Sequence, residues 1–418
     1  MALPSVTLAA NGERSGATRF SRSGDIAARR ILAVAPQPFY QDRGTPIALR
    51  QVLQAASELG YQVDLLTLPV GSEIHLPGLR TFRSANPFGI RSVPIGLSLR
   101  KLALDASLVG ALRERLARES YTCVHALEEA AWPALLLARR HRIPLLYDMQ
   151  SSLPEQLLTY ALARVPPMPM LMREAERWLL ARADLVVASA GLGDLVRHLT
   201  PGTKVREWRF PSTPGEVSTH ESLSLRRQLG LPQDAPVILY SGTFEPYQGL
   251  DDLIAAIPPV LVAMPKARFV LVGDPRAGDT SLGAKAEELV RAGTLTIVER
   301  QPRSAMPVYL AMADVLVSPR AFGDNLPLKI FDYLAAGRPI IATDISTHRT
   351  VLTPHTAVLV RPNPDALAEG IVSVLRCPSR GRQLGAAARE YAFEHLGWSR
   401  FVRTVGEIYD DAHRLVTA

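Results

Sequence analysis

The sequence predicts an α/β protein built from two doubly wound, Rossmann-like units that face each other across a cleft. Three observations carry this prediction. Short continuous apolar runs, which read as strands buried on both faces of a parallel sheet, alternate with stretches at helical spacing. The alternation breaks once, between Pro211 and Ser224, in a segment rich in Ser, Thr, Pro and Gly. It then restarts and continues for a similar length, so the 418 residues suffice for two cores.

The elements follow in order. "RRILAVAPQPFY" is the first buried strand, "QDRGTP" a loop, and "IALRQVLQAASELG" a helix that ends at Gly60. "YQVDLLTL" completes the first βαβ unit. "YTCVHAL", "IPLLYDM" and "DLVVASA" are strands, separated by the helices "AAWPALLLARRH" and "MLMREAERWLLARA". After the break come the strands "PVILYSG", "ARFVLVG", "TLTIVE", "DVLVSP", "RPIIAT" and "TAVLV". Between them lie the helices "LDDLIAAIPPVL", "GAKAEELVRAG", "MPVYLAMA" and "LPLKIFDYLAAG". "PDALAEGIVSVLRC", "GRQLGAAAREYAFEHL" and "WSRFVRTVGEIYDDAHRLV" close the chain as helices. The boundaries predicted are a disordered tail over 1–29, a first unit over 30–210, a linker over 211–224, a second unit over 225–395 and a last helix over 396–418.

Composition excludes several classes. Apolar residues make up 47% and charged residues 21%, which suits a water-soluble globular enzyme. The two cysteines, Cys123 and Cys377, allow no disulfide framework and no cysteine metal cluster, as expected of a cytoplasmic protein. The nine histidines show no ligand spacing such as HExxH, so no metal is expected. The N-terminal stretch lacks the basic start and unbroken apolar core of a secretory signal. No window offers about 20 uncharged apolar residues. The longest, "LLARADLVVASAGL", is broken by Arg182 and Asp184. A net charge of +7 favours anionic partners. The basic residues form no aromatic-interleaved strip on a known motif, so nucleic acid is not expected.

The most informative stretch is "FGDNLPLKIFDYLAAGRPII", from Phe322 to Ile341. Pro327 fits the first turn of a helix and Gly337 its end, with Asp324 or Asn325 as the cap. A helix start presents free N–H groups and partial positive charge, and Lys329 adds a full one, so the site attracts phosphate. Asp324 and Asp332 suit hydroxyl groups, which donate to ionised oxygens. A ligand with both phosphates and hydroxyls satisfies the set, and a sugar nucleotide is such a ligand.

Here the chain resembles the family 4 retaining glycosyltransferases of the GT-B fold, from about Ile31 onward. That family carries two acids separated by seven residues, leading into a pattern like E-Y-x-A-A-G-x-P-I, and this chain has Asp324, Asp332 and "YLAAGRPIIATD". The resemblance implies that Asp324 holds the donor sugar and Asp332 the ribose. Lys329 then stabilises the leaving diphosphate, with Asn325 and Leu326 beside it. It further implies a donor that is a UDP- or GDP-sugar, transfer with retention and without metal, and a hydroxyl acceptor. The acids here are Asp where the family usually has Glu. The family's Arg and Lys after the Gly-rich strand end are replaced by Thr243 and Gln248, beside Gly242 and Gly249. Lys329, Arg43, Arg320 and Arg338 are the candidate replacements. On the acceptor side the resemblance gives Gly44 to the donor phosphate. The family's functional His position falls on Leu127, which makes His125, two residues earlier, a catalytic candidate. Glu128, Asp148 and Glu155 face the acceptor in this reading, and the final helix returns to the first unit.

Two rivals remain at this level. A sugar-nucleotide epimerase needs acid and base groups flanking a sugar carbon, and no such set is legible. A non-catalytic GT-B module that binds a nucleotide sugar or a partner protein fits the loss of cations at Thr243 and Gln248. Separately, residues 78–118 carry Arg80, Arg83, Arg91, Arg100, Lys101, Arg113, Arg115 and Arg118 against Asp105 and Glu114, with Glu119 just beyond. With the apolar "ARVPPMPMLM" they suggest an anionic membrane surface at the inner face of the membrane and a lipid-linked acceptor. The alternative is a solvated helix face with core residues beneath.

Overall fold

The computed structural model describes residues 29–41, 44–86, 89–91, 93, 98–152, 154, 167–212, 215, 217–273, 282–323 and 325–417. The expected tail up to residue 28 lies outside the described residues, as do Arg43, Glu155 and Asp324. The strands of the first unit are β1 (Arg30–Ala35), β2 (Gln62–Thr67), β3 (Leu79–Arg83), β4 (Cys123–Leu127), β5 (Leu145–Met149), β6 (Leu185–Ala188) and β7 (Val205–Glu207). They form one parallel sheet in the order β3-β2-β1-β4-β5-β6-β7. The second unit has β8 (Val237–Ser241), β9 (Arg268–Val272), β10 (Leu295–Val298), β11 (Val315–Ser318), β12 (Ile340–Thr343) and β13 (Val358–Val360). Its sheet is also parallel, in the order β10-β9-β8-β11-β12-β13.

In each sheet the strand order reverses beside the first strand, at β1/β4 and β8/β11. A crevice opens beyond the carboxyl ends of strands at such a point. The central strands β4, β5, β6 and β8 are buried at every position, which is why they read as unbroken apolar runs. β3, "LRTFR", is an edge strand with no fully buried residue, and periodicity did not reveal it.

The linker prediction needs correction. A helix, Thr219–Gln228, begins inside it. Ser218 caps that helix by accepting from the Glu221 amide at 3.2 Å, while the Glu221 carboxylate accepts from the Ser218 amide at 2.9 Å. The last helix, Trp398–Thr417, packs on Gly44–Glu58 of the first unit. Trp398 Nε1 donates to Glu58 Oε2 at 2.8 Å, and Arg29 pairs with Asp410 at 2.5 Å. An aromatic joint ties the units together: Phe210 lies 5.6 Å from Phe401 and 6.5 Å from Phe331, ring to ring.

The basic stretch spends most of its charge internally. Its helix, Leu99–Arg118, buries Leu104, Leu108, Leu112 and Leu116 on one face, so core residues do lie beneath it. Arg80 pairs with buried Asp64 at 2.6 Å, and Arg83 donates to the carbonyls of Phe39, Leu68, Gly71 and Ser72. Lys101 is shared between Asp105 and Glu129, Arg115 stacks 4.2 Å over Phe82, and Arg118 pairs with Glu114. No described helix is long and apolar enough to cross a membrane.

Candidate active site in the interdomain cleft

The two sets of strand ends enclose a cleft of about 620 Å³. Gly44, Glu128 and Gln150 line it from the first unit, and Gly242, Thr243, Lys329 and Asp332 from the second. Its size suits a small-molecule substrate.

The floor on the second unit is made where β8 and β9 end. Gly242 has φ 144°, and a Cβ there would lie 2.8 Å from Lys329 Nζ and 3.0 Å from the Tyr240 hydroxyl. Lys329 opens the helix Lys329–Ala336. Its ammonium sits 3.9 Å from the centroid of the Tyr240 ring and donates to Gln248 Oε1 at 3.0 Å. Burial, reinforced by the nearby Arg320 guanidinium, pushes Lys329 well below the ordinary lysine range. Gln248, 6% exposed, also reaches Thr243 Oγ1 at 3.4 Å. It therefore aims the lysine, while Thr243 is exposed at the cleft wall.

Gly249 has φ 72°, and a Cβ there would meet the Pro319 carbonyl at 2.0 Å. Gly249→Ala is expected to cost about 3 kcal/mol from strained backbone plus overlap. A denaturant midpoint unchanged from wild type would refute this.

The helix start differs from the prediction. Pro327 lies before the helix, and Leu328 occupies the cap position without a side-chain bond. Asn325 is not the cap: its Oδ1 accepts from Arg320 Nη2 at 2.6 Å, and it lines the cleft beside Leu326. Asp332 also lines the cleft, with Arg303 Nη2 3.5 Å from its Oδ1.

Among the candidate replacement cations, Arg320 lines the cleft. It is 3% exposed, donates to the Phe322 carbonyl at 2.8 Å and lies 5.2 Å from the centroid of the Tyr247 ring. Arg338 instead donates to the Ala311 carbonyl and is not part of the cleft wall. Sequence reasoning missed Arg300 and Arg303, which enter the cleft from the segment after β10. It also missed Glu245, whose Oε2 is buried at the cleft wall without a hydrogen-bond partner among the described residues. The run "ERQPRS" after a strand end was the available signal.

On the first unit, Gly44 lines the cleft at the start of its helix, and a Cβ there would meet nothing within 4 Å among the described residues. Glu128 follows β4 with φ 49°, a left-handed backbone uncommon for a non-glycine residue. Its carboxylate accepts from Ser151 Oγ at 2.9 and 3.0 Å. Burial, and then the neighbouring Glu129 carboxylate, push it well above the usual carboxylate range.

The catalytic assignment of His125 is corrected. Its side chain is fully buried, with Nδ1 3.0 Å from the Tyr409 hydroxyl and Nε2 3.2 Å from Asp148 Oδ2. Both ring nitrogens are occupied by protein groups, and the ring is not part of the cleft wall. Asp148 belongs to the same network: it is 1% exposed and also accepts from Trp208 Nε1 at 3.0 Å and Gln150 Nε2 at 2.6 Å. It does not line the cleft either, so its acceptor-side assignment is withdrawn with that of His125.

Two family models match the chain. The glycosyl transferase 4-like domain covers residues 43–206, and glycosyl transferases group 1 covers residues 222–391. A D-inositol 3-phosphate glycosyltransferase of Streptomyces bingchenggensis is 26% identical over 301 residues, which is 67% of this chain. The match spans 64% of that relative, just under two thirds of its length. Sucrose-phosphate synthase from Thermosynechococcus elongatus superposes with a TM-score of 0.75 at 23% identity, covering 91% of this chain and 98% of that one. Anabaena Alr3699/HepE in complex with UDP-glucose gives 0.70 at 18% identity, covering 91% and 99%. With one family model on each unit and a GT-B architecture, the chain belongs to the family 4 glycosyltransferases.

Proposed function

We propose that the chain moves a sugar from a UDP- or GDP-sugar to an acceptor hydroxyl, with retention of configuration and without a metal ion. The observation that carries this reading is the cationic floor: Lys329, Arg300, Arg303 and Arg320 line one wall beside the Gly242 backbone. Such a wall stabilises the negative charge that grows on a departing diphosphate. It also supplies the cations missing at Thr243 and Gln248, which removes the main support for a non-catalytic module.

In the proposed reaction the bond from the sugar anomeric carbon to the β-phosphate oxygen breaks, and its electron pair leaves with the diphosphate. The acceptor oxygen bonds to that carbon on the same face, and its proton passes to a leaving phosphate oxygen. Asp332 accepts from the ribose hydroxyls and Asp324 from the sugar hydroxyls.

The test is a calorimetric titration with UDP and with GDP, wild type beside Asp332→Ala. One nucleotide is expected to bind, and the variant to bind it at least about tenfold more weakly, the loss of a charge-assisted hydrogen bond. Asp324→Ala should abolish transfer from the matching sugar nucleotide. Undiminished transfer by Asp324→Ala, or equal nucleotide binding by Asp332→Ala, would sink the donor assignment.

A further inference from the structure

A second cavity, of about 280 Å³, opens beside the cleft on the first unit. Its walls are apolar: Val34, Ala106, Val109, Leu112 and Pro133 face it, with Pro36 at the junction. Pro36 and Glu129 line both spaces. At the boundary Lys101 bridges Asp105 and Glu129, with Nζ 2.6 Å from Glu129 Oε1. Asp105 stands on the small cavity and Lys101 on the cleft. The space is thus apolar inside and collared by charge where it meets the cleft. Leu102 lies one turn before Ala106 on the same helix face and is 54% exposed, so the apolar track runs out to solvent.

An apolar cavity of 150 Å³ accepts a benzene molecule. This one is nearly twice that size, enough for an aromatic ring or a length of alkyl chain. Its walls offer water few hydrogen-bond partners, so an apolar group that covers them gains from removing apolar surface from water. The cavity adjoins the cleft across Pro36 and Glu129, which line both spaces on the first unit, so its occupant lies next to the acceptor side of the cleft.

We propose that the acceptor is an amphiphile whose alkyl or aromatic portion fills this cavity while its hydroxyl-bearing head lies in the cleft beside Glu128 and Gln150. The proposal rests on the transferase reading above. Its test uses octyl β-D-glucoside, below its micelle concentration, against methyl β-D-glucoside, titrated into the full chain. The octyl compound is expected to bind about tenfold or more tightly, since each buried methylene adds to affinity. Val109→Trp fills the cavity from a half-buried position and should erase that preference. Equal binding of the two glucosides overturns the proposal. So does a chain-length preference that survives Val109→Trp, which reports adsorption to exposed leucines instead. Ala106→Phe, at an exposed position, blocks the same space and decides the matter if Val109→Trp does not fold. UDP and GDP titrations of the same samples read the donor site separately. Intact nucleotide binding with no chain-length preference defeats this proposal alone, whereas a chain-length preference without nucleotide binding defeats the donor reading alone.

Discussion

Lys329→Met is expected to lower transfer about a hundred- to a thousandfold while leaving the fold intact. The reason is positional. The ammonium lies under Gly242, with its direction fixed by Gln248 and the Tyr240 ring. A preorganised cation at a developing anion supplies effects of that size. A pH signature accompanies it. The free protein holds Lys329 with a depressed pKa, and a bound diphosphate raises that pKa again. Between the two values, nucleotide binding takes up a proton, and affinity falls as pH rises through the window. Titrations in buffers of different ionisation enthalpy measure the uptake. It should disappear in Lys329→Met, and an unchanged uptake would place the titrating group elsewhere.

The second large effect is on stability. His125→Ala is expected to destabilise the chain by about 3 kcal/mol, because it leaves the Tyr409 hydroxyl and part of the Asp148 carboxylate buried and unpaired and opens a cavity. Thermal or denaturant unfolding reads the loss. Activity per folded molecule should stay near wild type. A loss of turnover by a hundredfold at full folding would restore a catalytic role to this histidine.

Much of the architecture was legible because its central strands are buried on both faces and so carry unbroken apolar runs. β3 was not, because an edge strand reading Leu-Arg-Thr-Phe-Arg puts apolar and polar residues on both faces and has no such run. The helix Thr219–Gln228 buries none of its residues, so it lacks an apolar stripe. Only its Ser218 and Glu221 capping pair announced it. At the site, Lys329 and Asp332 were readable because one short helix places both at the cleft. Arg300 and Arg303 were not, since they come from a different strand end and only the fold brings them alongside. His125 misled for a related reason. Alternation along β4 correctly gives the side to which it points, yet that side is covered by the last helix, more than 280 positions away.

The backbone crosses between the units twice, and the crossings touch: the Ser212 amide donates to the Leu396 carbonyl at 3.2 Å. Two crossings set side by side make a narrow joint rather than a broad one. Trp208, Phe210 and Phe401 form a greased bearing next to them. A hinge motion between the units would pivot where these two crossings meet, so the placement of that point would set how the cleft walls approach each other.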